Sequence, residues 1–199
     1  MSGLSLAHEP VTGINHGKLG MWIFLASEIM FFAGFFTAFS VLRNANPELF
    51  AEGAAELNMW FALLNTFVLI GSSLTMALSI LFLEKRDVAK FRIFLGLTII
   101  GAFIFLIVKT IEYTAKIHHG TAPFGPGFNV FFGLYFVMTG FHAIHVIGGL
   151  IPMVWMLAKS FTKKGYFNVQ RVEVLGLYWH FVDLVWIFLF PILYLVFRH

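Results

Sequence analysis

His180 and Asp183 form a polar pair inside an apolar run that extends from about residue 172 to residue 197. A run of this length can cross a bilayer, which takes roughly 20 apolar residues. A carboxylate near the centre of such a helix costs about 2.5 to 3.5 kcal/mol on insertion scales, so it normally faces protein or water and has a partner. The i, i+3 spacing places both side chains on one face, within reach of each other and of a neighbouring helix. We therefore predict that this helix buries a polar stripe among other helices.

A second pair with the same spacing, His142 and His145, lies in another long apolar run. Two imidazoles on one helix face can ligate a metal or a haem, but such a pair needs further ligands from elsewhere. His180 is the only other histidine predicted at this depth. Glycines near the pair allow close helix contacts, across which histidine forms hydrogen bonds. The sequence therefore favours helix packing over ligation, and we predict no metal site and no catalytic residue.

Glu28 is a single carboxyl in the first apolar run, roughly 13 Å from its start at 1.5 Å per residue. No Lys or Arg is predicted at a similar depth in any helix, so a protonated or water-solvated carboxyl is favoured over an ion pair. Acids inside a membrane are candidates for function. Two roles stay open, a structural or lipid-binding role and participation in proton movement.

Lys109 and Glu112 lie near the end of the third apolar run. We expect Lys109 to extend towards the membrane interface and to pair with Glu112, three residues away. Lipid or partner binding, together with Tyr113, is the alternative. The tryptophans are mostly near the ends of apolar runs, as in an interfacial belt: Trp22, Trp60, Trp155, Trp179 and Trp186.

The composition predicts an all-α membrane protein. Hydrophobic residues make up 59% of the chain and charged residues only 12%, so a soluble domain could not bury the apolar surface. The sequence contains no cysteine, which excludes disulfides, thiolate metal sites and covalently attached c-type haem. The net charge of +3 is small and does not indicate nucleic-acid binding.

Five apolar runs predict five transmembrane helices in a single domain covering residues 1–199: 19–42, 57–83, 91–115, 128–158 and 172–197. The fourth contains Pro152, so we expect it to be tilted or kinked. Most of the basic residues fall on the side that holds the amino terminus. By the positive-inside rule, the amino terminus is predicted to be cytoplasmic and the carboxy terminus outside. The basic residues expected to contact anionic lipid are Lys85, Arg86, Lys90, Arg92, Lys163, Lys164 and Arg171.

Four segments carry a resemblance to a known family: WIFLASEIMFF at 22–32, KTIEY at 109–113, GFHAIHVIG at 140–148 and YWHFVDLVW at 178–186. Together they resemble subunit III of the haem-copper oxidases, over about residues 18–197. The chain is most similar to the short, five-helix bacterial form of the cytochrome c oxidase type.

The resemblance implies a non-catalytic subunit of a respiratory complex that reduces oxygen and pumps protons. Haem and copper belong to partner subunits I and II, this chain has no cofactor of its own, and phospholipid is expected to bind. Glu28 matches the family's buried, carbodiimide-reactive carboxyl. The positions that match the family's polar seam are Glu112, His142, His145, His180 and Asp183. Thr37 and Val41 stand where some members have Trp and His beside the lipid.

The partners implied are subunit I as the main contact, subunit II, possible small subunits, membrane phospholipids, and cytochrome c as electron donor to the complex. A bacterial plasma membrane is the expected location. Relatives that oxidise quinol or are linked to nitric oxide reduction are alternatives within the family. From a different class, a stand-alone proton channel or carrier would use Glu28 and the histidines as a relay.

Overall fold

The computed structural model describes residues 16–121, 123, 125–162 and 168–195. The described chain is helical and contains no strand. Its long helices are α1 (His16–Ala45), α3 (Met59–Glu84), α4 (Val88–His118), α5 (Val130–Ser160) and α6 (Val169–Phe190). A short helix, α2 (Pro47–Ala55), joins α1 to α3, and a π-helical turn (Pro191–Leu195) continues α6.

Five helices are long and apolar enough to cross a membrane, the last extending from Val169 to Leu195. This confirms the predicted all-α membrane fold with five spans. The observed helices begin or end a few residues from the sequence-based ranges, mainly because polar end residues still take helical geometry. α2 was not predicted. The transmembrane orientation stays a prediction.

Asparagine and aspartate side chains cap the starts of four helices. Asn58, Asp87, Asn129 and Asn168 accept backbone N–H groups at the starts of α3, α4, α5 and α6. These caps satisfy donors that have no partner within the helix. Asp87 accepts from the backbone N–H of Lys90, and this bond, with the Lys90 ammonium, lowers the pKa of Asp87 from 3.8.

Helix α6 occupies the centre of the bundle and packs against α1, α3 and α5. Trp179 and Trp186 are fully buried along it. The indole of Trp179 donates to Ser72 Oγ at 3.1 Å, and that of Trp186 donates to Thr66 Oγ1 at 3.0 Å, both on α3. The prediction of an interfacial belt was therefore wrong for these two tryptophans, whose hydrogen bonds join α6 to α3. The others are exposed: Trp22, Trp60 and Trp155.

Helix α2 closes one end of the bundle. Pro47 begins the helix, where its missing N–H costs nothing, and Phe50 is fully buried. The ring of Phe50 lies 5.1 Å from that of Phe39 and 5.5 Å from that of Phe131. A Cβ on Gly53 would lie 2.3 Å from a Phe131 ring atom, so the close approach of α2 to α5 requires glycine.

Candidate functional site

Glu28 forms a pair with a histidine that the sequence placed in a different motif. Glu28 Oε2 on α1 lies 3.0 Å from His145 Nε2 on α5. His145 Nδ1 lies 2.8 Å from the carbonyl oxygen of Phe141, which can only accept, so Nδ1 carries a hydrogen. The contact between Nε2 and Oε2 then needs one proton, held either by the carboxyl or by the imidazole. The sequence predicted that Glu28 has no charged partner, whereas the structure places it in a pair with His145 that shares one proton.

This pair lies in the middle of its helices and at the edge of the bundle. The side chains of Glu28 and His145 are 17% and 14% exposed, so the pair is shielded but accessible from one side. Tyr178 on α6 donates to the backbone carbonyl of His145 at 2.8 Å, and the Phe32 ring packs at 5.4 Å against the imidazole. Contacts from α1 therefore fix the imidazole, and a bond from α6 fixes the backbone that carries it.

An apolar groove runs between α1 and α6 next to this pair. It has a volume of about 210 Å³. Its lining begins one residue after Glu28 and consists of apolar side chains from both helices: Ile29, Phe32, Ala33, Phe36, Phe181, Leu184, Val185 and Phe188. The groove has the chemistry of an acyl-chain site, with a titratable pair beside it.

His180 and Asp183 do not form the pair that their spacing suggested. His180 Nδ1 bonds the hydroxyl of Ser73 on α3 at 2.6 Å. Asp183 is 3% exposed, and neither of its oxygens meets hydrogen-bond geometry with a described group. The hydroxyl of Ser73 lies near Asp183, but its short hydrogen bond is with His180 Nδ1.

His142 and His145 face different surroundings, although they are three residues apart. The His142 ring is fully buried, 5.3 Å from the rings of both Phe105 and Trp186. His145 faces Glu28. Among the residues that the structure describes, no three His, Asp or Glu side chains converge as a metal site.

Lys109 and Glu112 are paired, as predicted, but the pair is in the core. Lys109 is 4% exposed and Glu112 is 3% exposed, with Lys109 Nζ 2.8 Å from Glu112 Oε2. Tyr194, from the π-helical turn, accepts from Lys109 Nζ at 2.9 Å and donates to Glu112 Oε1 at 2.7 Å. Lys109 Nζ also lies 4.8 Å from the centre of the Trp186 ring. The expectation that Lys109 extends to the membrane interface was wrong, because these groups solvate it inside the bundle.

The residues predicted to contact anionic lipid have different surroundings. Lys85, Arg86 and Arg171 are exposed, and Lys90 is exposed but pairs with Asp87 at 3.2 Å. Arg92 instead donates to the hydroxyl and carbonyl of Ser160 and stacks on the Phe161 ring, which fixes the end of α5. Lys163 and Lys164 lie outside the described residues.

Sequence reasoning missed Tyr194 and the pairing of Glu28 with His145. A tyrosine in an apolar run gives no signal of its own. The chance of a pair between α1 and α5 could have been inferred from the similar depth of Glu28 and His145, since each lies near the middle of its run.

A family described as cytochrome c oxidase subunit III matches residues 6–197. A probable cytochrome c oxidase subunit 3 from Nocardia farcinica is 36% identical over 185 residues, which cover 92% of this chain and 89% of that protein. Cytochrome c oxidase subunit 3 from Thermostichus vulcanus is 34% identical over 183 residues, covering 90% and 87%. That from Corynebacterium diphtheriae is 36% identical over 185 residues, covering 92% and 89%.

These matches extend over nearly the whole chain and agree with its five apolar helices, as expected for a multi-pass subunit of a membrane-bound oxidase complex. The chain belongs to the cytochrome c oxidase subunit III family.

Proposed function

We propose that this chain is the non-catalytic subunit III of a proton-pumping cytochrome c oxidase of the aa3 or caa3 type, in a bacterial plasma membrane. Its amino terminus is cytoplasmic and its carboxy terminus outside. Subunit I is the main contact and subunit II a further one, with haem and copper in these partners. The names of the relatives support cytochrome c as electron donor to the complex. The role of this chain is to stabilise the complex, bind lipid and support proton uptake by subunit I.

The Glu28–His145 pair is the observation that carries the proposed part in proton uptake. A pair that shares one proton takes up a second one as imidazolium and neutral carboxyl, or gives up the first as neutral imidazole and carboxylate, and only hydrogen positions change in either step. Its partial exposure leaves one side of the pair open at the edge of the bundle, where a partner subunit or lipid can lie against it. In this proposal the pair holds a proton close to subunit I and carries out no redox chemistry.

Lipid binding is proposed at the groove between α1 and α6. The apolar lining suits an acyl chain, and Glu28 directly precedes Ile29, the first of the lining residues. The exposed basic residues at the predicted cytoplasmic end attract anionic headgroups, at about 1 kcal/mol for each residue near the surface. The groove extends from Glu28 away from that end, so the groove and the basic residues are proposed as separate lipid contacts.

The assignment is tested by purifying the chain from its native membrane in mild detergent. We expect haem absorption and oxygen uptake to accompany two larger partners and to be lost from the isolated chain. Reduced cytochrome c should sustain oxygen uptake, and quinol should not. If the isolated chain still contains haem, the proposal that haem belongs to the partner subunits is contradicted. If the complex is active only with quinol, the proposal that cytochrome c is the electron donor is contradicted.

The role of Glu28 is tested with Glu28→Gln in the intact complex. Gln keeps the size of the side chain but cannot share a titratable proton with His145. We expect carbodiimide labelling of this position to be lost, with the initial rate of oxygen reduction largely unchanged. Glu48→Gln, at an exposed position of α2, is the matched control and should leave the labelling of Glu28 intact. An immediate collapse of turnover in Glu28→Gln would show that Glu28 takes part in the chemistry itself.

A stand-alone proton channel or carrier is the second candidate function, and the Glu28–His145 pair is what favours it. Its test is proton flux through the isolated chain in liposomes. Flux that Glu28→Gln abolishes would support this alternative. The oxidase-subunit proposal expects no flux above that of empty liposomes.

A further inference from the structure

Three side chains in the core of the bundle have polar atoms that form no hydrogen bond with any described group: Asn65, His142 and Asp183. Asn65 and His142 are fully buried, and Asp183 is 3% exposed. A buried amide without a partner is destabilising, and a buried charged carboxylate without one is more so. The three groups are on α3, α5 and α6, and α6 packs against both of the other helices, so one shared partner can satisfy them.

The three side chains belong to one region, which contacts through Trp186 define. The Trp186 indole donates to Thr66, the neighbour of Asn65 on α3, and its ring lies 5.3 Å from that of His142 on α5. Asp183 precedes Trp186 on α6 by three residues, roughly 4.5 Å along the helix axis. The three residues therefore belong to the layer of α3, α5 and α6 that surrounds this indole.

The chemistry of the three groups is complementary through water. The amide of Asn65 has two donor hydrogens and one acceptor oxygen, the imidazole of His142 has a donor and an acceptor when neutral, and the carboxyl of Asp183 accepts. Water donates and accepts, and a buried water typically makes about three hydrogen bonds to otherwise unsatisfied groups. We propose that Asn65, His142 and Asp183 form an internal water-binding site in the centre of the bundle.

This site lies between two hydrogen-bonded clusters. On one side is Ser73–His180, which is partly exposed, and on the other is the buried Lys109–Glu112 pair with Tyr194. Lys109 Nζ is 4.8 Å from the centre of the Trp186 ring. Bound water joins these clusters into one polar column along α6, separate from the Glu28–His145 pair.

The test is a cryo-electron microscopy map of the intact complex at a resolution that shows ordered water in its other subunits. We expect density within hydrogen-bonding distance of at least two of the three side chains. Well-resolved side chains without such density, or direct hydrogen bonds among the three, would overturn the proposal. Density at the shorter distances of metal coordination would also overturn it, because the ligand would then be a cation.

Asn65→Leu tests the part of the amide, since leucine is of similar size and cannot bind water. We expect the density to be lost. Ser79→Ala is the matched control on α3, because Ser79 is equally buried but its hydroxyl is satisfied by the carbonyl of Met76. The density should persist in this control. Unchanged density in Asn65→Leu would contradict the site as proposed. If this variant does not assemble, the wild-type map still decides.

Discussion

Removing one partner from the Lys109–Glu112 pair is expected to destabilise the bundle far more than removing both. Lys109→Met leaves Glu112 in the core with only the hydroxyls of Tyr194 and Tyr135 close to it among the described groups. Breaking a buried ion pair in this way costs about 3 to 5 kcal/mol, because one charge stays buried without compensation. Lys109 also loses its contact with the Trp186 ring, and a desolvated cation–π contact is worth about 2 kcal/mol.

The double variant Lys109→Met with Glu112→Leu removes both charges and keeps the core filled. Replacing a buried pair by apolar side chains of similar volume is often neutral or stabilising. We therefore expect the double variant to recover part of the stability that Lys109→Met loses; the hydroxyl of Tyr194, which loses both partners, limits the recovery. Because the two residues are in contact, their effects should not add.

The assay is the midpoint temperature at which this chain dissociates from the detergent-solubilised complex, followed by native gel and by proteolysis. Lys90→Met is the control. It removes a lysine from an exposed pair with Asp87, so we expect little change in the midpoint. Two results would refute the argument for a buried pair and indicate that Lys109 is solvated at the interface. One is a midpoint for Lys109→Met as little changed as that of Lys90→Met. The other is a midpoint shift in the double variant equal to the sum of the shifts in Lys109→Met and Glu112→Leu.

Two further predictions concern packing and capping. Gly149→Ala should lower the same midpoint, because the added Cβ would lie 2.9 Å from a ring atom of Trp179; Gly71→Ala, with nothing within 4 Å, should not. An unchanged midpoint temperature in Gly149→Ala would show that α5 and α6 are packed less closely than described. The cap of Asp87 on the N–H of Lys90 should stabilise the start of α4 above the unfolded pKa, near 3.8. This stabilisation should be lost as the pH falls through the lower pKa that Asp87 has in the folded protein, and hydrogen exchange of the Lys90 amide should then become less protected. In the control Asp87→Asn, protection of this amide should show no such pH dependence.

The sequence was sufficient for the class of fold, because composition and run length alone decide whether a helix can cross a membrane. Five apolar runs predicted five spans, and the motif around Glu28 with those at His142 and His180 indicated the family before any geometry was known. Helix α2 was missed because nine residues rich in glutamate and alanine carry no membrane signal and are helical only where Phe50 has a core to enter.

Pairing between helices depended on the tertiary structure. Spacing along a helix shows which residues share a face, but it does not show what lies opposite that face. His180 and Asp183 share a face, yet His180 bonds Ser73; Glu28 meets His145 because α1 and α5 lie side by side at the same depth.

The same reason explains Lys109 and the buried tryptophans. From the sequence, Lys109 was close enough to a helix end to reach the interface, and Trp186 was close enough to an end to belong to an aromatic belt. The fold places both in the core, where Tyr194 and Glu112 satisfy the ammonium and Thr66 satisfies the indole. The sequence determines which polar groups enter the membrane, and the packing of the helices determines which partners make their burial stable.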